Sequence, residues 1–259
     1  MTAELADWTR PYFTPGGGDA HFFFVVYGPL PKELSISRSR YRCDGIPDGV
    51  ELMSYGPDVR PEVVDQFRDG YLWERLLHDN PSLAGRIAAE TECTIVQGAV
   101  SDPPDLNYLR NVVGLIQWML DNDGAGLFDA HSFQWMDPSR WHRSVFDADG
   151  PSPQSHVWIM YSEDEEDGEA EWFHTRGMRV FGRPDLSVHD VRPEYREAVI
   201  EMIRRFIEYQ ALGGVVSEGE EIRLEGLPSG MTCHHRGDVD DPDFNNRHIE
   251  VEWPEGLKP

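Results

Sequence analysis

Lysine is almost missing from this chain. Lys32 and Lys258 are the only two, so arginine supplies nearly all of the 23 basic side chains set against 47 Asp and Glu, a formal net charge of −24 over 259 residues. A surplus of acid on that scale repels phosphate backbones and anionic lipid headgroups, which argues against nucleic acid and membrane partners and favours a basic protein. Cysteine is scarce too. Cys43, Cys93 and Cys233 are odd in number and far apart, which excludes a disulfide framework and fits a reducing compartment. Long apolar runs are missing: Phe22 to Tyr27 falls far short of the ~20 residues that cross a bilayer. Met1-Thr-Ala-Glu-Leu-Ala-Asp7 lacks a basic stretch followed by an apolar run, so no secretory leader is expected and the expected location is the cytoplasm.

Common catalytic signatures are lacking as well. The chain contains no G-x-S-x-G elbow, no C-x-x-C and no H-E-x-x-H, so neither a serine nucleophile nor a zinc site announces itself by local spacing. Thr14-Pro-Gly-Gly-Gly18 has the glycines of a phosphate loop without the Lys-Ser/Thr that holds phosphate and magnesium, and it reads as a hinge at the end of an N-terminal arm, residues 1–20.

What is present is bulk: 8 Trp, 9 Tyr and 12 Phe supply enough apolar surface for a packed interior. The pattern predicts an α+β protein, with amphipathic helices packed on mixed or mostly antiparallel sheet. A first half spans 21–146 and a second 154–259, joined by the turn-rich Asp147-Ala-Asp-Gly-Pro-Ser-Pro153 and expected to form one compact unit. Leu109, Val112, Val113, Ile116 and Leu120 predict a helix near 106–121; Val199, Met202, Ile203, Phe206 and Ile207 predict another near 193–212. Each follows a strand (93–97 and 177–181) and an acidic proline loop, and each ends at glycine before another strand, so the halves read as two similar strand-helix-strand passages. Segments 21–27, 93–97 and 156–161, richest in apolar, β-branched and aromatic residues, are expected to be central strands.

Four features carry candidate chemistry. The run Glu163-Asp164-Glu165-Glu166-Asp167, continuing to Glu171, lies between two strand-like segments with Trp172 and Phe173 beside it. It lacks the ligand spacing of a calcium loop and reads as an exposed hairpin loop, a charged rim next to an aromatic anchor for a basic partner. Asp238-Val-Asp-Asp-Pro-Asp243 has proline and aspartate where an EF-hand needs a ligand and a glycine, and reads as a turn whose carboxylates cap backbone N–H groups. Cys233 and His235 share one face of a predicted strand, and with His248 or His174 they are the weak metal candidates, Asp238 or Asp240 serving as acid or base of a metal-assisted hydrolase. Cys93, in an apolar strand, reads as packing and not as a nucleophile.

The last feature is Thr175-Arg-Gly-Met178…Phe181-Gly-Arg-Pro-Asp-Leu186, where Arg176, Arg179 and Arg183 cluster in an otherwise acidic chain. They are suited either to an anion or to neutralising the protein's own acidic loops. Together with Gly124-Ala-Gly-Leu-Phe-Asp129…Trp135 this stretch resembles an uncharacterised bacterial family of unknown function. The resemblance implies a cytosolic α+β protein and brings no catalytic residue and no cofactor. The function expected from the sequence is therefore non-enzymatic binding of a basic protein, as an adaptor or an immunity protein does, with the metal-assisted hydrolase as the alternative.

Overall fold

The computed structural model describes residues 5–33, 35–163 and 170–256. The chain divides into two compact units, not one: residues 1–9, 21–100 and 105–152 form the first, and 10–20, 101–104 and 153–259 form the second. The main boundary at 152/153 falls inside the linker expected at 147–153.

The first unit is built on β1 (Ala20–Tyr27), β2 (Val50–Tyr55), helices α1 (Gly70–Asp79) and α2 (Pro81–Ala89), β3 (Cys93–Val100), helix α3 (Asn107–Leu120), β4 (Gly126–Asp129) and β5 (Gln134–Met136). Its sheet order is β2-β3-β1-β4-β5. The expected central strand β1 lies in the middle, burying Phe22, Phe24, Val25, Val26 and Tyr27. Asn80 starts α2 by accepting from the Leu83 N–H at 3.1 Å, with Pro81 in the first turn where no N–H is needed. The predicted apolar face of α3 is buried, and so are Tyr108, Leu115, Trp118 and Met119 around it. It is a core helix, apolar on nearly every side.

The second unit holds β6 (Trp158–Glu163), β7 (Glu171–Arg176), β8 (Asp185–Val191), helix α4 (Arg196–Ala211), β9 (Glu221–Ile222), β10 (Met231–Arg236) and β11 (His248–Glu252). The order is β6-β7-β8-β11-β10-β9. Only β8 and β11 run parallel; the other pairs are antiparallel. Helix α4 lies against β8 and buries Val199, Met202, Ile203 and Ile207. Both units contain a strand-helix-strand passage, set in sheets of five and of six strands with different orders.

Three expectations need correction. The segment 156–161 is not central: β6 is an edge strand of the six-stranded sheet, paired with β7 alone among the described residues, and apolar, strand-forming composition suits an edge position as well as a central one. Residues 177–181 are not a strand. Gly177 and Gly182 adopt φ of 118° and 65°, conformations that exclude a side chain without strain, and they bracket a single 3-10 turn at Met178–Phe181. The Asp185 carboxylate holds that turn by accepting from the Met178 N–H at 3.3 Å and from Thr175 Oγ1 at 2.8 Å.

The hinge at Thr14–Gly18 is likewise not free, since residues 10–20 are part of the second unit. The buried Arg10 guanidinium donates to the carbonyls of Pro103, Phe181, Gln210 and Ala211 at 2.8 to 3.3 Å. Arg183, also buried, donates to the carbonyls of Thr14, Gly182, Gly213 and Gly214 and to Asp102. Asp102 in turn accepts from the Gly16 N–H at 2.6 Å. Both cations therefore sit at the carbonyl-rich C-terminal end of α4, where the helix dipole favours positive charge.

Arg183→Met keeps the apolar stem and removes every donor, leaving several buried carbonyls without their partner. The expected cost is about 3 kcal/mol, seen as a fall of about 6 to 12 °C in Tm by differential scanning calorimetry. A change within about 2 °C, less than 1 kcal/mol for a chain of this size, contradicts the assignment.

Candidate functional site

The strand registers sort the chemistry-bearing residues of the second unit onto two faces of its sheet, because directly paired residues share a face and neighbours along a strand alternate. Cys233 pairs with Val251 and His235 with Ile249. With Leu186, Val188 and Phe173 they belong to one face, and all of these except His235 are buried. His248 pairs with Arg236 and with Asp185, and Glu250 with Ser187 and His234, so they belong to the opposite face. His174, paired with Ser187, is there too.

The metal candidates are thus separated by the sheet itself. Cys233 and His235 cannot share an ion with His248 or His174. Burial also raises the Cys233 thiol to about 12, and His235 Nε2 is 2.9 Å from the Val216 carbonyl. Among the described residues no group of three or more His, Cys, Asp or Glu converges on a metal-sized point. Asp238 and Asp241 make the expected turns, accepting from the N–H groups of Asp240 at 2.9 Å and of Asp243 at 3.0 Å. Cys93 is buried, its thiol raised to about 11 by burial.

The contacts of the arginines among the described residues are with the protein's own loops. Arg176 donates to the Asp243 carbonyl, and Arg179 to the Asn245 carbonyl at 2.8 Å and Oδ1 at 3.1 Å. With Arg183 they donate mostly to backbone oxygens among the described residues. Asp185, at its centre, also accepts from Asn246 Nδ2 at 2.8 Å, and burial raises its carboxyl to about 6.

The aromatic anchor differs from expectation. Phe173 is buried in the core and Trp172 is half-buried, its ring stacked on those of His174 and His189 at 4.1 and 4.9 Å, its Nε1 donating to Ser187 Oγ at 3.0 Å. Phe244 lies over the same face, 4.1 Å from the His248 ring. The sequence reading missed this histidine-aromatic face, although the i, i+2 pairs Trp172/His174, Ser187/His189 and His248/Glu250 are the alternation that places it.

What stands exposed next to the acidic run is the end of β6. Tyr161 is 66% exposed, its ring 5.8 Å from that of Phe173 beneath it, and Ser162 and Glu163 are exposed too. Glu171 at the facing end of β7 is engaged by Arg196. Asp164, Glu165, Glu166 and Asp167 lie outside the described residues. Beside β6 a cleft of ≈ 480 Å³ runs along α4, with Val157 and Ile159 on one wall and Glu201, Arg204, Arg205 and Glu208 on the other.

No protein-family model, no curated protein and no solved structure matches the chain.

His174 generates a test of this geometry. Burial first, then Arg176 and His189, lowers its imidazole to about 4. A histidine whose folded value lies below its unfolded one contributes stability that is present above about pH 6.5 and is lost as pH falls toward 4, because the unfolded chain takes up the proton first. The unfolding free energy of the native protein relative to His174→Gln should therefore drop by about 1–2 kcal/mol between pH 7 and pH 5 in urea titrations. A difference independent of pH contradicts the burial of this ring.

Proposed function

We propose that the protein is a non-enzymatic binding protein for a basic protein partner, and that it engages that partner at the end of the β6–β7 pair. The observation that carries this reading is the exposed Tyr161-Ser162-Glu163 end of edge strand β6, which runs directly into Asp164-Glu165-Glu166-Asp167 in sequence. Tyr161 takes the role first given to Trp172 and Phe173. An aromatic ring with an acidic rim suits a cationic surface, since tyrosine supplies contact area at low entropic cost and the charges steer the encounter.

The net charge of −24 extends that steering over the whole molecule and exceeds the magnitude of about 2 to 8 that suffices to keep a small domain soluble. Three free, buried cysteines fit a partner met in the reducing cytosol. An adaptor, or an immunity protein that covers a cationic toxin, works in this way.

The test is isothermal titration with a soluble lysine- and arginine-rich peptide against native protein and against a variant in which Glu163, Asp164, Glu165, Glu166 and Asp167 become Gln or Asn. Native protein should bind and weaken as salt rises from about 50 to about 200 mM. The neutralised variant should lose about tenfold in affinity and most of its salt dependence. Equal affinity and equal salt dependence in the two proteins contradict the proposal.

A further inference from the structure

We infer that the basic partner binds as an added β-strand on the outer edge of β6, with every second side chain entering the cleft between β6 and α4. The inference rests on the docking reading above and names the form of the ligand: an extended segment of alternating apolar and basic residues.

Three independent features lead there. The first is topological: among the described residues β6 pairs only with β7, and no described strand lies along its outer edge. Natural sheets protect such edges with lysine, proline, bulges or brevity. The opposite edge, β9, is short, with two residues. β6 has six, Trp-Ile-Met-Tyr-Ser-Glu, with neither lysine nor proline, and its composition is strongly strand-forming. It is therefore a template for pairing.

The second feature is the cleft. Ile159 pairs with Thr175 and Tyr161 with Phe173, so Ile159 and Tyr161 share the sheet face to which buried Phe173 belongs. A strand laid beside β6 alternates its side chains, and those on this face meet Val157 and Ile159 on one side and the polar flank of α4 on the other. The cleft is held in register at its start, where Gln154 Nε2 donates to the Arg204 carbonyl at 2.9 Å. Its charged wall is internally balanced in part, Arg205 lying 2.8 Å from Glu201. The cleft thus calls for an apolar side chain with polar surroundings. Tyr161 stands next along the same face, positioned to cover a neighbour's side chain as cross-strand pairs do.

The third feature selects the occupant. A second copy of the chain would bring another −24 charge and a second Glu163 against this edge, which like-charge repulsion opposes. A segment whose remaining side chains are basic is attracted by the net charge of −24.

The probe is a blocked peptide of alternating arginine and valine, about ten residues long, enough to overlap a strand of this length. It is compared with two analogues carrying N-methyl groups on alternate residues, one on the arginines and one on the valines. All three have the same charge, and each methyl removes a backbone donor. In fluorescence anisotropy with native protein, one methylated analogue should bind about tenfold more weakly and the other close to the parent, because only one set of N–H groups faces β6. Ile159→Arg, with its fold checked by circular dichroism and Tm, should weaken the parent peptide by about tenfold, since the new side chain fills the cleft.

Equal binding of all three peptides, or no binding of the parent, overturns strand addition. If the neutralised acidic run still weakens a lysine- and arginine-rich peptide in that case, the docking reading survives without its strand geometry. A native protein that sediments as a dimer, and as a monomer after Ile159→Arg, assigns the edge to a second copy and overturns the inference.

Discussion

Two buried guanidinium groups at the C-terminal end of α4 hold the second unit in its form. Arg10 and Arg183 are 4% and 2% exposed, and between them they donate to the carbonyls of Thr14, Pro103, Phe181, Gly182, Gln210, Ala211, Gly213 and Gly214. Helix ends leave carbonyls without partners, and burying them unpaired is costly. Here cations from two distant parts of the chain satisfy them and, in doing so, bind residues 10–20 and 101–104 into the unit. A fork of several donors suits this task and a lysine ammonium does not, which gives a physical role to arginine in a chain that has almost no lysine.

The conspicuous stretch from Thr175 to Leu186 serves the same construction. Thr175 and Asn246 donate to Asp185, the Met178 N–H joins them, and the Leu186 N–H donates back to Thr175 Oγ1 at 2.9 Å. The residues that look most like a site are thus spent on a turn that carries the chain from β7 to β8.

Much of the fold is legible in the sequence because burial periodicity is local. β1, β3, α3 and α4 follow from apolar spacing alone, and the turns at Asp238 and Asp241 from their side-chain chemistry. What depends on partners distant in sequence is not legible. Nothing in 156–161 distinguishes a central from an edge strand, since both are apolar and strand-forming; only the sheet order decides it. The proximity of Cys233 to His234 and His235 suggests a ligand cluster, yet a register of one residue puts His248 across the sheet from Cys233 and His235. The histidine-aromatic face needs three strands to be aligned before its i, i+2 pairs come together. The arm at 14–18 reads as a hinge because its partners, Arg183 and Asp102, are far along the chain.

Among the described residues the same strand order leaves β6 paired on one side alone, next to a cleft and at the start of an acidic run, in a molecule of net charge −24. Recognition by strand addition draws its affinity from backbone pairing and its selectivity from alternate side chains. Hydrogen exchange read by mass spectrometry, with and without the alternating arginine-valine peptide, tests that claim most directly. The account predicts slowed exchange confined to Trp158–Glu163 and the adjoining flank of α4. Protection that leaves β6 unchanged and falls on another part of the molecule would contradict it.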